Sequence, residues 1–142
     1  MQVQEIMSRD VTLIDPNTTI RDAAKEMRAD DIGALPVGEN DRLIGMVTDR
    51  DITMRAVAED RAPATTAVRD VMSDRVYYCF EDDNVQEAAD VMAEHQVRRL
   101  PVLNRDKRLV GVVALADLGR GEPDAAQSAL EGVSEPTGKT RR

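Results

Sequence analysis

The sequence predicts a mixed α/β fold of the α+β type, in which one small unit occurs twice. Shifted by 65 positions, the chain matches itself in an ordered series of residues. Within each copy, short apolar strands alternate with segments whose apolar residues recur at helical spacing. Because neither copy alone can bury both faces of its sheet, we expect the two to pack sheet to sheet about a pseudo-twofold axis, with helices outside.

The repeat is visible along most of the chain. One inserted residue in the second copy changes the offset to 66. The matching pairs, first copy before second, are Ile6-Met7-Ser8 with Val71-Met72-Ser73, Ala23-Ala24 with Ala88-Ala89, Leu35-Pro36-Val37 with Leu100-Pro101-Val102, Gly45 with Gly111, and Asp51 with Asp117.

In the first copy, the pattern predicts a helical turn, a strand, a helix, a strand, a polar turn, a strand and a helix. A strand is expected at 11–14 because the segment is β-branched and is stopped by Pro16. Thr18 or Thr19 can cap the next helix. The remaining segments are the turn at 3–7, strands at 34–37 and 43–47, and a helix from about 49 to 58.

The second copy repeats this order. Its strands are expected at 76–79, 99–103 and 109–114, its first helix after the Asn84 cap, and its last helix from Leu115. We therefore predict one repeat over 1–60, a connector at 61–67, a second repeat over 68–120 and a flexible tail over 121–142. A short helix at 125–130 is possible within that tail, and disorder is expected from Gly132.

Composition limits the possible functions. The 142 residues carry a formal charge of −8, which disfavours binding to nucleic acid or to anionic membranes. No apolar run approaches the length of a membrane span, and the N-terminus lacks a signal pattern. Since Cys79 is the one cysteine, no intrachain disulfide or zinc cluster is expected. These features indicate a cytoplasmic protein without a nucleic-acid or membrane partner.

The segment 45–51 is the main candidate for a functional site. An apolar strand is followed directly by a helix here. Thr48, Asp49 and Asp51 therefore lie at the start of a helix, where anions are favoured. A structural alternative is that Thr48 only caps the helix and Asp51 only stabilises its first turn. The echo in the second copy keeps Asp117 but has Ala114 where the first copy has Thr48.

Other polar or reactive residues have structural interpretations. His95 lies at a helix end, where its charge is favourable, and Cys79 is expected in the core. The methionines are expected to fill the core, Met46 being the possible exception. The acidic turns at 39–41 and 81–83 are interpreted as solvated, so no metal site is predicted.

Together these residues identify a family. The chain resembles a tandem CBS-domain pair, or Bateman module, of the stand-alone bacterial type, over about residues 3 to 120. The features that carry the resemblance are Ile6-Met7-Ser8, Thr19-Ile20-Arg21-Asp22-Ala23-Ala24, Ile32-Gly33-Ala34-Leu35-Pro36-Val37 and Gly45-Met46-Val47-Thr48-Asp49-Arg50-Asp51, with their echoes. The resemblance implies two βαββα repeats, often assembled as a homodimer.

The resemblance also implies an adenine nucleotide in the clefts between the repeats: AMP, ADP, ATP, NAD or S-adenosylmethionine. One cleft would combine Thr48 and Asp51 with Arg98 and Arg99, and Met46 would lie near the adenine. The other would pair Asp117 with Gly33 and Ala34, which supply no cation. We therefore expect one good site and one degenerate site.

The expected function is that of a non-catalytic regulatory sensor, which signals to an unknown effector protein through a change in conformation or dimer geometry and requires no metal. An enzyme is disfavoured because the sequence has no nucleophile–base pair, metal cluster or Walker-type phosphate loop. The alternative is a dimerising interaction protein whose clefts are vestigial.

Overall fold

The computed structural model describes residues 1–134 and confirms a mixed α/β fold. The chain divides into two compact units. The first-copy unit comprises residues 12–76, and the second-copy unit comprises residues 1–11 together with the chain from Tyr77 onward. The limits of these units differ from the predicted repeat limits, because the short segment that precedes each copy packs with the other copy. The packing of the two copies about a pseudo-twofold axis stays a prediction.

The first-copy unit is built around one antiparallel hairpin. Its elements are α1 (Ile20–Asp30), β1 (Ala34–Glu39), β2 (Arg42–Thr48), α2 (Asp49–Ile52), a π-helix (Thr53–Val57) and a 3₁₀ turn (Val68–Asp70). The predicted strand at 11–14 is reduced to a single parallel bridge from Ile14 to Val37. Pro16, which has no N–H, limits any extension of this pairing beyond Asp15, while residues 11–13 are not assigned to a strand.

Helix α1 begins at one of the two caps that the sequence predicts. The side-chain oxygen of Thr19 accepts a hydrogen bond from Asp22 N at 3.1 Å, so Thr19 is the cap. Ile20, Ala23 and Met27 form its buried face. The helix ends at Asp31, which has a left-handed backbone with φ of 53°.

The second-copy unit contains a three-stranded sheet in the order β3-β4-β5. Its elements are a 3₁₀ turn (Val3–Glu5), β3 (Cys79–Phe80), α3 (Val85–His95), β4 (Arg99–Leu103), β5 (Leu109–Ala114), α4 (Leu115–Gly121) and α5 (Pro123–Ser134). Strand β3 pairs parallel with β4, and β4 pairs antiparallel with β5. The Asn84 cap of α3 is confirmed by its hydrogen bond from Gln86 N at 2.8 Å.

The short segment that precedes each copy pairs with the other copy, and the two pairings are equivalent. In the second-copy unit, Ser8 and Val112 exchange backbone hydrogen bonds of 2.8 and 2.9 Å. In the first-copy unit, Ser73 and Met46 exchange two bonds of 2.9 Å. Ser8 and Ser73 are matched by the sequence repeat, as are Met46 and Val112, so the duplication extends to individual hydrogen bonds.

The C-terminal part differs from the expected flexible segment that begins at 121. Helix α5 packs on α3, with Ala125, Ala129 and Val133 buried. Gly132 permits a close approach, because a Cβ at this position would lie 2.3 Å from the Cβ of Ala93. Small residues at i, i+4 and i+8 suit such tight helix packing, although the same composition is also typical of a flexible tail. The part of the predicted tail at 135–142 lies outside the described residues.

As the sequence predicted, His95 lies at the end of α3 and Cys79 lies in the core. The imidazole of His95 stacks on Tyr77 with ring centroids 3.7 Å apart and planes inclined by 12°. Cys79 is buried in the core of the second-copy unit. Burial, reinforced by the charges of Asp83 and Glu87, raises the pKa of its thiol to about 12.

None of the helices between residues 1 and 134 combines the length and the apolar character needed to cross a membrane.

Replacing the glycine at the α3–α5 contact should destabilise the protein. The new methyl group of Gly132→Ala would meet Ala93, so we expect a loss of about 1–3 kcal/mol in the free energy of unfolding, measured by urea denaturation. Gly119→Ala is the matched control: a Cβ there meets no atom within 4 Å, so the better helix former should stabilise by up to about 1 kcal/mol. Equal effects of the two substitutions would contradict the described packing of α5.

The raised pKa of the Cys79 thiol predicts an alkaline loss of stability. Above pH 9, the thiol ionises in the unfolded chain, whereas in the folded protein it stays protonated until about pH 12. The folded state then binds more protons, so the free energy of unfolding should fall by about 1.4 kcal/mol per pH unit. The measurement is urea denaturation between pH 8 and 10 under reducing conditions. A Cys79→Ala variant should lack this component, and parallel pH profiles for the two proteins would refute the assignment.

Candidate functional site

The start of α2 is a capping box built from two predicted site residues. The hydroxyl oxygen of Thr48 accepts a hydrogen bond from Asp51 N at 3.0 Å, and the carboxylate of Asp51 accepts one from Thr48 N at 2.9 Å. Asp51 is only 1% exposed. The structural interpretation of these residues as caps is therefore confirmed, and their contact with a ligand stays a prediction.

Met46 lies beside this capping box. It precedes Thr48 by two residues on β2, so both side chains point to the same face of the hairpin. The side chain of Met46 is half-buried, and its backbone is held by Ser73. The first-copy unit thus brings Met46, Thr48 and Asp51 together where β2 passes into α2.

The equivalent position in the second copy is already neutralised. The carboxylate of Asp117 accepts a hydrogen bond from Ala114 N at 2.8 Å and also pairs with the guanidinium of Arg120. Ala114 offers no hydroxyl. In the first copy, Met54 stands where Arg120 stands in the second. Sequence reasoning missed Arg120, although the i, i+3 spacing of an acid and a base on a helix could have indicated the pair.

Arg98 and Arg99 lie at the entrance of β4, beside the start of α4. The carbonyl of Arg98 accepts a hydrogen bond from Leu115 N at 2.9 Å, and Arg99 is paired with Ala114 in the ladder. Both side chains are exposed, and neither has a hydrogen bond or ion pair with another residue in the range 1–134. Adjacent residues on a strand point to opposite faces of the sheet. Since β4 begins at Arg99, that alternation does not extend to Arg98.

The two arginines open onto a groove of about 590 Å³, which we call the α4–α5 groove. Its walls come from the end of β5, from α4 and from α5, and they are mainly apolar. The lining residues are Arg98, Arg99, Ala114, Leu115, Ala116, Gly119, Pro123, Ala126, Gln127 and Leu130. Sequence reasoning missed the contribution of α5, because this segment was interpreted as a tail.

The corresponding strand entrance in the first copy carries the opposite charge. The carbonyl of Gly33 accepts a hydrogen bond from Asp49 N at 2.9 Å. A Cβ at Gly33 would lie 2.9 Å from a carboxylate oxygen of Asp49. A phosphate group beside Gly33 would therefore meet a negative charge, whereas beside Arg98 it would meet two positive ones.

The predicted site residues therefore fall into two groups. Met46, Thr48 and Asp51 are close together in the first-copy unit, and Arg98, Arg99 and Asp117 surround the start of α4 in the second-copy unit. The combination of Asp51 with the arginines in one site, and of Asp117 with Gly33 and Ala34 in another, stays a prediction.

Comparison with known families agrees with this architecture. A family model described as "CBS domain" matches residues 3–57 and again residues 68–120. The chain belongs to the CBS-domain family. A curated relative, Hypoxic response protein 1 of Mycobacterium tuberculosis, is 44% identical over 124 residues, which cover 87% of this chain and 86% of the relative.

Two solved structures are informative. That of Hypoxic Response Protein I with two coordinated zinc ions has a TM-score of 0.78 and 42% identity, covering 87% of this chain and all of the other. The CBS domain pair of protein MJ0100, in complex with 5'-methylthioadenosine and S-adenosyl-L-methionine, has a TM-score of 0.72 and 27% identity. It covers 84% of this chain and 94% of the other.

The zinc-bound structure overturns one expectation. The sequence predicts that no metal is required, and this prediction is contradicted by a structure 42% identical to this chain, which contains two coordinated zinc ions. Between residues 1 and 134 of the present chain, no three histidine, cysteine, aspartate or glutamate side chains converge on a point that could hold a metal ion.

Removing the hydroxyl of Thr48 should break one hydrogen bond of the α2 cap and destabilise the protein. In Thr48→Val, the shape of the side chain is nearly kept but the acceptor for Asp51 N is lost, so we expect a loss of about 1 kcal/mol in the free energy of unfolding. Urea denaturation measures this loss. Thr48→Ser keeps the acceptor and should fall close to the wild type. If Thr48→Val and Thr48→Ser have the same stability, the capping role is excluded.

Proposed function

We propose that this protein is a non-catalytic regulatory module that binds an adenine nucleotide and reports its occupancy to another protein. One observation carries the proposal: two exposed arginines without protein partners among residues 1–134 stand side by side at a groove, in a chain of net charge −8. The adenosyl ligands bound to the CBS pair of MJ0100 supply the chemical class.

The arginines are suited to the phosphates. A guanidinium binds phosphate oxygens through two parallel hydrogen bonds, and two adjacent guanidiniums can share the charge of one ligand. Many other arginines of this chain are already engaged: Arg105 with Asp82, Arg61 with Asp70, and Arg120 with Asp117. In a protein with excess acid, leaving Arg98 and Arg99 without carboxylate partners favours an external anion.

The first-copy residues are suited to the nucleoside. We assign the ribose hydroxyls to Asp51, a further polar contact to Thr48, and the neighbourhood of the adenine to Met46. Asp117 is a weaker candidate for the same role, because Ala114 supplies no hydroxyl beside it, whereas Thr48 supplies one beside Asp51. This difference supports one good site and one degenerate site.

Burial of Asp51 gives the signal a physical origin. A carboxylate that is 1% exposed and holds the start of α2 can accept ribose hydroxyls only if the surrounding residues move. Binding would then be coupled to the conformation of α2 and of the π-helix that follows it. A homodimer could transmit this change as altered geometry, and an effector protein could read it.

The competing proposal is a dimerising interaction protein with vestigial ligand sites. It predicts that no nucleotide raises the melting temperature, whereas a binder present at 100 times its Kd should add about 2.7 kcal/mol of stability. Thermal shift with AMP, ATP, NAD and S-adenosylmethionine, each with and without EDTA, separates the two proposals. Hydrolysis of ATP by the pure protein would contradict the non-catalytic assignment.

Loss of the two arginines should weaken nucleotide binding without affecting the fold. The double variant Arg98→Ala/Arg99→Ala removes exposed side chains that have no partner in residues 1–134, so its melting temperature without ligand should stay near that of the wild type. The affinity for AMP, measured by calorimetry, should fall at least about tenfold, which corresponds to about 1.4 kcal/mol.

The control for this experiment is Lys25→Ala/Arg28→Ala on α1, which removes two exposed positive charges elsewhere. It should leave the affinity for AMP nearly unchanged. Equal losses in both double variants would mean that only net charge matters, and the assignment of Arg98 and Arg99 to the phosphates would be rejected.

A further inference from the structure

Helix α5 lies beyond the second family match, which ends at residue 120, yet it forms one wall of the α4–α5 groove. Its inner face is buried against α3, where Gly132 lies close to Ala93. Its outer face lines the groove from Pro123 to Leu130, which is about two helical turns or about 10 Å. The groove therefore has a long wall that is fixed to the second-copy unit.

The groove is open along its length. None of the ten residues that line it is buried. Leu130 is 41% exposed, and a Cβ added at Gly119 on α4 would meet no atom within 4 Å. A small-molecule site usually encloses most of its ligand, which this groove does not do. An open, mainly apolar groove between two helices is instead typical of a surface that receives a further helix.

The charge at the β4 end of the groove indicates the chemistry of its occupant. Arg98 and Arg99 are exposed and have no carboxylate partner within residues 1–134, in a chain of net charge −8. A basic partner would be attracted to the acidic surface in general. An acidic partner would be repelled except where the two guanidiniums lie, so charge directs an acidic segment to this groove in particular.

A second copy of this chain fits the groove less well. The acid of α5 that lies next to the groove is Glu131, and its carboxylate already accepts a hydrogen bond from Gln127 on the same helix at 3.0 Å. If two copies met groove to groove about a twofold axis, both arginine pairs would also be brought into one interface. These charges favour a partner of different sequence.

We propose that the α4–α5 groove docks an acidic amphipathic helix of a partner protein. Apolar residues of that helix, spaced at i and i+3 or i+4, lie against Leu115, Ala126 and Leu130, and carboxylates near one of its ends bind Arg98 and Arg99. Phosphate and carboxylate then use the same two guanidiniums, so a bound nucleotide displaces the partner. This displacement rests on the proposed function, whereas the docking itself does not.

The test is a selection of helical peptides on the full chain, which does not require the sequence of the partner. A displayed library of unrestricted composition, in peptides of about 15 residues that are long enough to form a helix, is bound to the wild type and depleted on Gly119→Trp. The indole of this variant fills the groove. Because Gly119 is exposed and its Cβ position is open, the variant should fold. The selected peptides should combine paired carboxylates with apolar residues at helical spacing.

The affinity of a selected peptide is then measured by fluorescence anisotropy. Arg98→Ala/Arg99→Ala and Gly119→Trp should each weaken its binding at least about tenfold. Ser128→Trp is the matched control, since it places the same indole at an exposed position of α5 that does not line the groove, and it should bind the peptide like the wild type. The double variant of α1 that controls for net charge should also bind like the wild type.

The inference is overturned if no peptide distinguishes the wild type from Gly119→Trp, or if the selected peptides lack acids. It is also overturned if sedimentation shows a dimer that Gly119→Trp converts to a monomer, because a second copy then occupies the groove. AMP titrated against the bound peptide tests the shared use of the arginines: displacement supports it, and simultaneous binding overturns it.

Failure of the docking site and failure of the proposed function give different results. If acidic peptides bind the groove but no nucleotide binds the wild type, the docking site stands and the nucleotide assignment alone is rejected. If AMP binds through the two arginines but no groove-specific peptide is selected, the proposed function stands and the docking site is rejected.

Discussion

A buried aspartate at the start of a helix organises each copy of this chain. After the hairpin strand ends, the carboxylate returns to the backbone N–H three residues earlier: Asp51 to Thr48 N at 2.9 Å and Asp117 to Ala114 N at 2.8 Å. The bond fixes the direction in which α2 and α4 leave the sheet, and it satisfies a donor that would otherwise be buried without a partner. The adjoining strand entrance is positioned by the same junction, through the bonds from Asp49 N to Gly33 and from Leu115 N to Arg98.

The two copies share this scaffold but differ in its charges. At the first strand entrance, Gly33 is next to the carboxylate of Asp49, and at the second, Arg98 and Arg99 have no partners among residues 1–134. The residues near the two helix-start aspartates also differ. In the second copy, Arg120 pairs with Asp117, and in the first copy, Met54 occupies the position that corresponds to Arg120. A few substitutions on a duplicated backbone thus give the two strand entrances opposite charges.

The sequence predicted those parts that depend on local patterns. The Thr19 and Asn84 caps and the strands β4 and β5 were found because capping residues and apolar alternation act over a few residues. Local patterns could not predict that the segment before each copy pairs with the other copy, since Ser8 pairs with Val112, 104 residues further along the chain. Helix α5 was predicted only in part, as a short helix at 125–130 within a tail, because alanine and glycine are equally compatible with a flexible segment and with a tightly packed helix. In the candidate site, Arg98 and Arg99 were predicted, whereas the α5 wall was not.

The metal expectation failed for a different reason. The sequence has one cysteine and one histidine and therefore gave no sign of a zinc cluster, whereas a relative that is 42% identical contains two coordinated zinc ions. The same reasoning limits what the family alone can say about ligands, because function resides in sites placed on a fold. The residues that distinguish this chain are therefore more informative than those it shares. Among them is helix α5, which lies beyond the family match, is anchored by its buried face, and forms one wall of a groove that begins at two arginines.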